Sequence, residues 1–123
     1  LIEHLSKDGH TLVDAEESFD ADLVTRKDGE KHFSEAEVKT AWTGDWPTHW
    51  AEIRIPERKK KLLSKHTNNL KFYVFSGDMS KAWCIDSSLL TDDKLKEASG
   101  RNIYQGEQFY HVPYTEAQLI NVA

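Results

Sequence analysis

The chain has 123 residues, of which 38% are hydrophobic and 30% are charged, and its net charge is −5. These values fit one compact globular domain over residues 1–123 and exclude a disordered chain. No apolar run reaches the ~18–20 residues that a membrane span needs, and "LIEHLSKDG" does not resemble a signal peptide. The single cysteine, Cys84, excludes an internal disulfide and favours a reducing, cytoplasmic setting.

The first part of the chain predicts the end of a helix followed by strands. "LIEHLSKDG" has Ile2 and Leu5 at helical spacing and then Gly9, which is typical of a helix end. "HTLVDAE" predicts a short strand, and "SFDADLVT" alternates apolar and polar residues with the two-residue period of a second strand. Asp28-Gly29 in "RKDGEK" predicts a hairpin, after which "KHFSEAEVKTAW" is expected to return as the third strand.

The return strand carries two acidic residues and a lysine at alternate positions. Side chains alternate between the two faces of a strand. Glu35, Glu37 and Lys39 are therefore expected on one face, and Ala36 and Val38 on the other.

The remainder predicts a loop, a helix and further strands. "TGDWPTHW" is typical of a loop, and "AEIRI" of a short strand or an extended approach to a helix. That helix is expected over "PERKKKLLSKH" with Pro56 at its first position. "LKFYVFS" predicts a buried strand that turns at Gly77-Asp78 into its neighbour "KAWCIDSSLL". "DDKLKEAS" predicts a short helix, and "EQFYHVPYTEAQLINV" a further strand and a terminal segment.

The negative net charge is unevenly distributed along the chain. "RIPERKKKLLSK", residues 54–65, carries six positive residues and one negative, so it is +5 and the rest of the chain is −10. The acidic surplus is concentrated before and within the predicted hairpin. Charge distribution matters more than the sum for a nucleic-acid partner, so the negative total does not exclude DNA.

An Asp near the start of one strand, a hairpin and a Glu-x-Lys on the next strand form a pattern with chemical meaning. Here the residues are Asp22, Glu37 and Lys39, in a helix-strand-strand-strand-helix-strand order over roughly residues 1–85. The combination resembles the restriction-endonuclease-like superfamily of nucleases, whose motif is PD-(D/E)xK, with Ala21 replacing the motif's proline. The resemblance implies an α/β fold: a restriction-endonuclease-like core with a central mixed β-sheet flanked by helices, here with a C-terminal strand extension.

These residue types also suit a divalent metal ion. Mg²⁺, for which Mn²⁺ can substitute, prefers oxygen ligands and is held by one or two carboxylates plus substrate phosphate. Asp22 and Glu37 can supply those carboxylates from adjacent strands, and the resemblance adds the carbonyl of Val38. Lys39 can orient the attacking water or stabilise charge that grows on the phosphate. The predicted catalytic residues are therefore Asp22, Glu37 and Lys39.

Other acidic residues remain alternatives for the metal site. Asp20 replaces Asp22 as a ligand if the strand register differs by two residues, and Glu35 replaces or supports Glu37. Glu3, on the opening helix, matches a position where many nucleases of the superfamily place a further metal ligand. Without a metal, the same carboxylates would form a solvated sheet face with charge pairs.

Two features predict contacts with DNA. The basic helix can contact phosphates, although its lysines can equally face water while its leucines pack. Trp46 is expected to be exposed and to stack on a base, whereas Trp42 and Trp50 are expected to tether the loop. Trp83 and Cys84 are expected in the core. The residues predicted to bind DNA are Arg58, Lys59, Lys60, Lys61, Lys65 and Trp46.

The leading hypothesis is a metal-dependent endonuclease that hydrolyses DNA phosphodiester bonds, of a repair, recombination or phage and mobile-element type. The six histidines show no zinc-ligand spacing. A homodimer is expected because so small a domain covers one DNA strand; "KAWCIDSSLL" and "EQFYHVPY" would form its interface or else complete the core. The alternatives are a non-catalytic DNA-binding or assembly module on the same scaffold, and an acidic protein-interaction domain.

Overall fold

The structure is a computed structural model that describes residues 1–12, 23–47, 49–57, 69–97 and 107–122, with the backbone alone for Ile2, Glu3 and Leu12. In these ranges α1 spans Ile2–Lys7. Every helix in them is too short or too polar to cross a lipid bilayer. The strands are β1 (Thr11–Leu12), β2 (Leu23–Lys27), β3 (Glu30–Lys39), β4 (Glu52–Pro56), β5 (Leu70–Ser76), β6 (Lys81–Asp86), β7 (Leu95–Glu97), β8 (Gln108–Pro113) and β9 (Gln118–Asn121).

The β2–β3 hairpin follows from its two turn residues. Asp28 and Gly29 both have positive φ, 53° and 81°, as in the type I′ turns whose twist matches that of the flanking strands. The resulting antiparallel register places Leu23 opposite Ser34. The hairpin predicted from Asp28-Gly29 is confirmed.

Within the described ranges, six strands form a mixed sheet in the order β1-β2-β3-β5-β6-β9. β3 and β5 run parallel, from Phe33 opposite Leu70 to Lys39 opposite Ser76. The other neighbours are antiparallel. Parallel neighbours need a long crossover connection, which residues 40–69 provide. The predicted mixed α/β class and the buried strand "LKFYVFS" are confirmed.

The two faces of this sheet pack against different partners. On one face, Phe72, Val74 and Ile85 join a large apolar cluster with residues of a second, antiparallel sheet in the order β4-β8-β7. On the other face, Leu5 of α1 packs with Tyr73. Burying both faces is characteristic of strands in the middle of a layered α/β protein.

Three predicted features differ from the structure. Pro56 ends β4, opposite Phe109, and does not begin a helix; β4 is an edge strand, where a missing N–H is tolerated. "DDKLKEAS" forms a 3-10 turn over Asp92–Lys94 followed by β7, because Leu95 packs on the core while its strand pairs with β8. In the described ranges α1 is the one α-helix, so the predicted flanking by helices is not shown there; the helix predicted over "PERKKKLLSKH" lies outside the described residues from residue 58 onwards.

The C-terminal strands complete the core. β6 lies between β5 and β9, and β8 lies between β4 and β7. Trp83, Tyr110 and Val112 on these strands are buried, which confirms the core position expected for Trp83, while Cys84 is partly buried. The segments "KAWCIDSSLL" and "EQFYHVPY" are expected either to form a dimer interface or to complete the core. The structure shows them completing the core.

Gly77 lies where the β5–β6 turn approaches the end of β3. Its N–H donates a 2.6 Å hydrogen bond to the carbonyl of Trp42, and a Cβ there would lie 2.8 Å from the carbonyl oxygen of Thr40. We expect Gly77→Ala to lower the free energy of unfolding by about 1–3 kcal/mol, as measured by urea denaturation. Thr43→Ala, at an exposed position in the loop after β3 that Gly77 approaches, should change it by less than about 0.5 kcal/mol; equal stabilities would contradict the close approach.

Candidate functional site

β3 presents Glu35, Glu37 and Lys39 on the face that meets the second sheet. Phe33 packs against the large apolar cluster on that face, whereas Ala36 packs on the α1 side. Because side chains alternate along a strand, Glu35, Glu37 and Lys39 share the face of Phe33. The expected common face of these three residues is confirmed.

The parallel partner strand surrounds the two carboxylates with apolar side chains. Glu35 lies opposite Phe72, and Glu37 opposite Val74, both of which are buried in the large cluster. Glu35 is itself only 5% exposed and has an interaction partner, whereas Glu37 is half-buried. Of these two acids, Glu37 is therefore the one accessible to a ligand.

A loop rich in tryptophan follows β3 and fixes the position of its end. The N–H of Trp42 donates to the carbonyl of Lys39 at 3.0 Å, and the fully buried indole of Trp42 stacks on Trp83 at 6.2 Å. Trp46 donates its indole N–H to the carbonyl of Trp50 at 2.7 Å. Contacts among these aromatic rings therefore hold the loop against the end of β3, where Lys39 lies.

Trp46 is a member of this cluster. Its ring lies 5.1 Å from that of Trp42, 5.2 Å from that of Trp50 and 5.6 Å from that of Trp83. It is half-buried, as Trp50 is, and therefore not fully exposed as expected, although it is less buried than Trp42. Edge-to-face contacts of this kind stabilise packing, and base stacking by Trp46 stays a prediction. The tethering role expected for Trp42 and Trp50 is confirmed.

Lys39 is a half-buried cation placed over an aromatic ring. Its Nζ lies 5.0 Å from the centroid of the Trp50 ring, within cation–π range. The ion pairs in the described part of the chain do not involve Lys39. Burial, and secondarily the nearby charge of Arg54, lower the pKa of Lys39 below its ordinary value.

Arg54 is a site residue that the sequence analysis missed. It belongs to β4 and lines, with Lys39, a cavity of about 390 Å³ that we call the Lys39 cavity. The alternation in "AEIRI" was a usable signal, because buried Ile53 and Ile55 turn Arg54 to the opposite face. The lining residues of the Lys39 cavity are Lys39, His49, Trp50, Ala51, Glu52 and Arg54.

The carboxylate in the Lys39 cavity is directed to a histidine. Glu52 Oε1 lies 3.5 Å from His111 Nδ1, and no ion pair in the described ranges joins Glu52 to Lys39 or Arg54. Lys39 and Arg54 thus lie close enough for the charge of Arg54 to lower the pKa of Lys39. No described carboxylate forms an ion pair with either of them. Such an arrangement favours an anionic ligand.

Several predicted site residues lie outside the described residues. Asp22 is one of them. The next residue, Leu23, is described and lies opposite Ser34 of β3, which precedes Glu35. Glu3 belongs to α1, whose Leu5 packs on the sheet face opposite that of Glu37; its side chain is not among those described, so its metal role stays a prediction. The residues outside the described ranges are Asp20, Asp22, Arg58, Lys59, Lys60, Lys61 and Lys65.

The carboxylate of Glu37 fits a magnesium ion. Among the described residues, no three His, Cys, Asp or Glu side chains form a group that could hold a metal. Mg²⁺ needs no such group, because it retains several waters and uses one or two carboxylates plus phosphate. Glu37 forms no ion pair with another described residue, so it suits that role. Asp22 and the carbonyl of Val38 stay predicted ligands.

No family model matches this chain, and no curated protein or solved structure matches it either. Nothing in these comparisons identifies a restriction-endonuclease-like family, so that resemblance stays a prediction from the sequence.

We expect Arg54→Gln to raise the pKa of Lys39 towards its ordinary value, because it removes one of the two causes that lower it. The recovery should be partial, since the burial of Lys39 remains. NMR titration of ¹³C-methylated lysines measures this pKa. Lys96→Gln, on exposed β7, serves as the control and should leave it unchanged; the same result for Arg54→Gln would show that the two cations are not neighbours.

Proposed function

We propose that this protein is a Mg²⁺-dependent endonuclease that hydrolyses DNA phosphodiester bonds. Asp22 and Glu37 would hold the ion, and Lys39 would assist the attack of water. The observation that carries the proposal is the placement of Glu37 and Lys39 on one sheet face, with Lys39 beside Arg54. A carboxylate for a metal ion and two cations for phosphate oxygens then lie in neighbouring positions.

Lys39 has the properties of a group that stabilises negative charge on a phosphate. It offers three N–H donors, and in the described ranges no carboxylate forms an ion pair with them. Trp50 holds the ammonium at 5.0 Å without using its donors in a conventional hydrogen bond. In a half-buried setting, such a fixed charge acts more strongly on a developing negative charge than it would in water.

Arg54 would bind a non-bridging oxygen of the same or an adjacent phosphate. The guanidinium group can donate two parallel hydrogen bonds to a phosphate, and its exposure leaves it accessible. Arg54 belongs to β4 and not to the strand that carries Glu37 and Lys39, so we assign it to positioning the backbone of DNA. The predicted contacts from the basic segment at residues 58–65 would extend this path.

Glu37 would provide negative charge for the ion at a place where water is partly excluded. Val74 beside it is 5% exposed, and lower local polarity strengthens the attraction between a carboxylate and a cation. When bound, Mg²⁺ would polarise the scissile phosphate and lower the pKa of a coordinated water.

Cleavage of plasmid and branched DNA in the presence of Mg²⁺ or Mn²⁺ tests this proposal. We expect Lys39→Ala to reduce the rate of cleavage on the order of 10²–10³-fold, the loss typical of removing one donor that stabilises the transition state. Glu37→Gln and Asp22→Asn, which weaken metal binding, should reduce it at least as much. Gel assays under single-turnover conditions measure these rates.

The matched controls are Glu97→Gln and Lys96→Ala on exposed β7, which should cleave as fast as the unchanged chain. Undiminished cleavage by both Glu37→Gln and Lys39→Ala would overturn the residue assignment. DNA binding without any cleavage by the unchanged chain would identify the alternative, a non-catalytic binding or assembly module.

Arg54 gives a prediction about DNA affinity that does not depend on cleavage. Each neutralised phosphate adds about −0.9 to the slope of log K against log salt concentration for duplex DNA. We therefore expect Arg54→Ala to make the slope about one unit less steep, and Arg54→Lys, which keeps the charge, to preserve it. Fluorescence anisotropy in Ca²⁺ across a salt series measures the slope; equal slopes for Arg54→Ala and the unchanged chain would remove Arg54 from the interface.

A further inference from the structure

A second cavity, of about 330 Å³, opens on the sheet face opposite that of Lys39. It lies beside α1 and is lined by residues of α1 and of strands β2, β3, β5, β6 and β9. We call it the histidine cavity because His4, His10 and His32 all line it. The nuclease proposal uses none of these residues.

The turn after α1 creates one wall of the histidine cavity. Gly9 has a φ of +89°, which favours glycine and reverses the chain so that His10 lies against β2. His10 Nδ1 is 2.7 Å from the hydroxyl oxygen of buried Thr25. The rings of His10 and His32 meet edge-on at 4.8 Å. Two histidines from distant parts of the chain are thereby fixed side by side.

Carboxylates near this cavity accept hydrogen bonds from other described groups, and Asp8 is paired with a cation. Asp8 Oδ2 accepts a 3.0 Å hydrogen bond from Lys27. Asp86 lies opposite Lys71 in the β5–β6 ladder, but its Oδ1 accepts from the N–H of Ser88. At the rim, Glu30 accepts from Asn69 at 3.2 Å.

Lys71 and His32 are two of the lining groups that remain available to a ligand. No hydrogen bond or ion pair in the described ranges uses the Lys71 ammonium or a His32 ring nitrogen. Lys71 is exposed and His32 is half-buried. The cavity therefore contains a lysine and a histidine whose donors have no described acceptor.

Several cationic groups act on His10 at the histidine cavity. Burial lowers the pKa of His10, and the charges of His32, Lys27 and Lys71 lower it further, while Asp8 opposes them. Tyr73 and Cys84 share a hydrogen bond at the cavity floor, and burial raises the pKa of each, so both stay neutral at pH 7. At His10 the cations therefore outweigh Asp8, and the buried hydroxyl of Ser34 lines the same cavity.

We propose that the histidine cavity binds a phosphate monoester, contacted by Lys71 and His32 from neighbouring strands, with His4 and His10 lining its α1 side. Donors that approach from several sides suit a dianion with three terminal oxygens better than a planar carboxylate with two. A volume of about 330 Å³ accommodates the phosphate with a small organic group attached.

Binding of inorganic phosphate to the metal-free protein tests the proposal without reference to cleavage. We expect the ring NMR signals of His32 and His10 to shift with phosphate concentration, and the pKa of His10 to rise because a bound dianion favours the protonated ring. Lys71→Gln and His32→Gln should each weaken binding at least tenfold. Lys96→Gln, outside the cavity, should bind phosphate as the unchanged chain does.

Two oligonucleotides distinguish the sources of such a phosphate. If the ligand is a strand end, a 5′-phosphorylated oligonucleotide displaces inorganic phosphate and its unphosphorylated counterpart does not. If it is a small metabolite, a nucleoside monophosphate displaces phosphate and neither oligonucleotide does.

The absence of histidine shifts at tens of millimolar phosphate, or equal affinities in Lys71→Gln, His32→Gln and Lys96→Gln, would overturn the proposal. Cleavage activity can be present or absent in either case.

Discussion

β3 and β5 run parallel in the middle of the six-stranded sheet, and the arrangement of the candidate site depends on that pairing. A short hairpin cannot join parallel neighbours, so the chain leaves β3 after Lys39 and returns only at Leu70. The described part of this crossover contains the tryptophan loop and β4. Parallel pairing thereby brings Trp50 and Arg54, which follow Lys39 in sequence, back to the end of its strand.

The same pairing gives the sheet two buried faces with different chemistry. The face towards the second sheet is covered by large apolar residues, and Lys39 lies over Trp50, which packs against that apolar cluster. The face towards α1 has a smaller apolar cluster, and polar residues line the cavity beside it. Because a six-stranded sheet separates them, an anion in one cavity does not contact residues of the other. The two proposed sites are physically independent.

Local signals predicted the elements whose conformation is set within a few residues. Asp28-Gly29 specified its hairpin because both residues tolerate positive φ, and alternation placed Glu37 and Lys39 on one face. The sequence was a poorer guide where distant contacts decide. Pro56 was expected to begin a helix because proline suits that position, but pairing with β8 makes it a strand end. Arg54 was missed for the same reason, since its proximity to Lys39 arises from the crossover.

Net charge is a weak guide to what this protein attracts, because pairing determines which charges act at a distance. Lys27, Lys81 and Lys94 each lie within 3.1 Å of a carboxylate oxygen, and such surface pairs largely cancel their own fields. Lys39, Arg54 and Lys71 have no such pair within the described ranges. Lys71 lines the histidine cavity, and Lys39 and Arg54 line the Lys39 cavity. The field that a phosphate would meet at either cavity therefore depends on these residues and not only on the net charge of −5. Local pairing of this kind makes an acidic protein compatible with a polyanionic substrate.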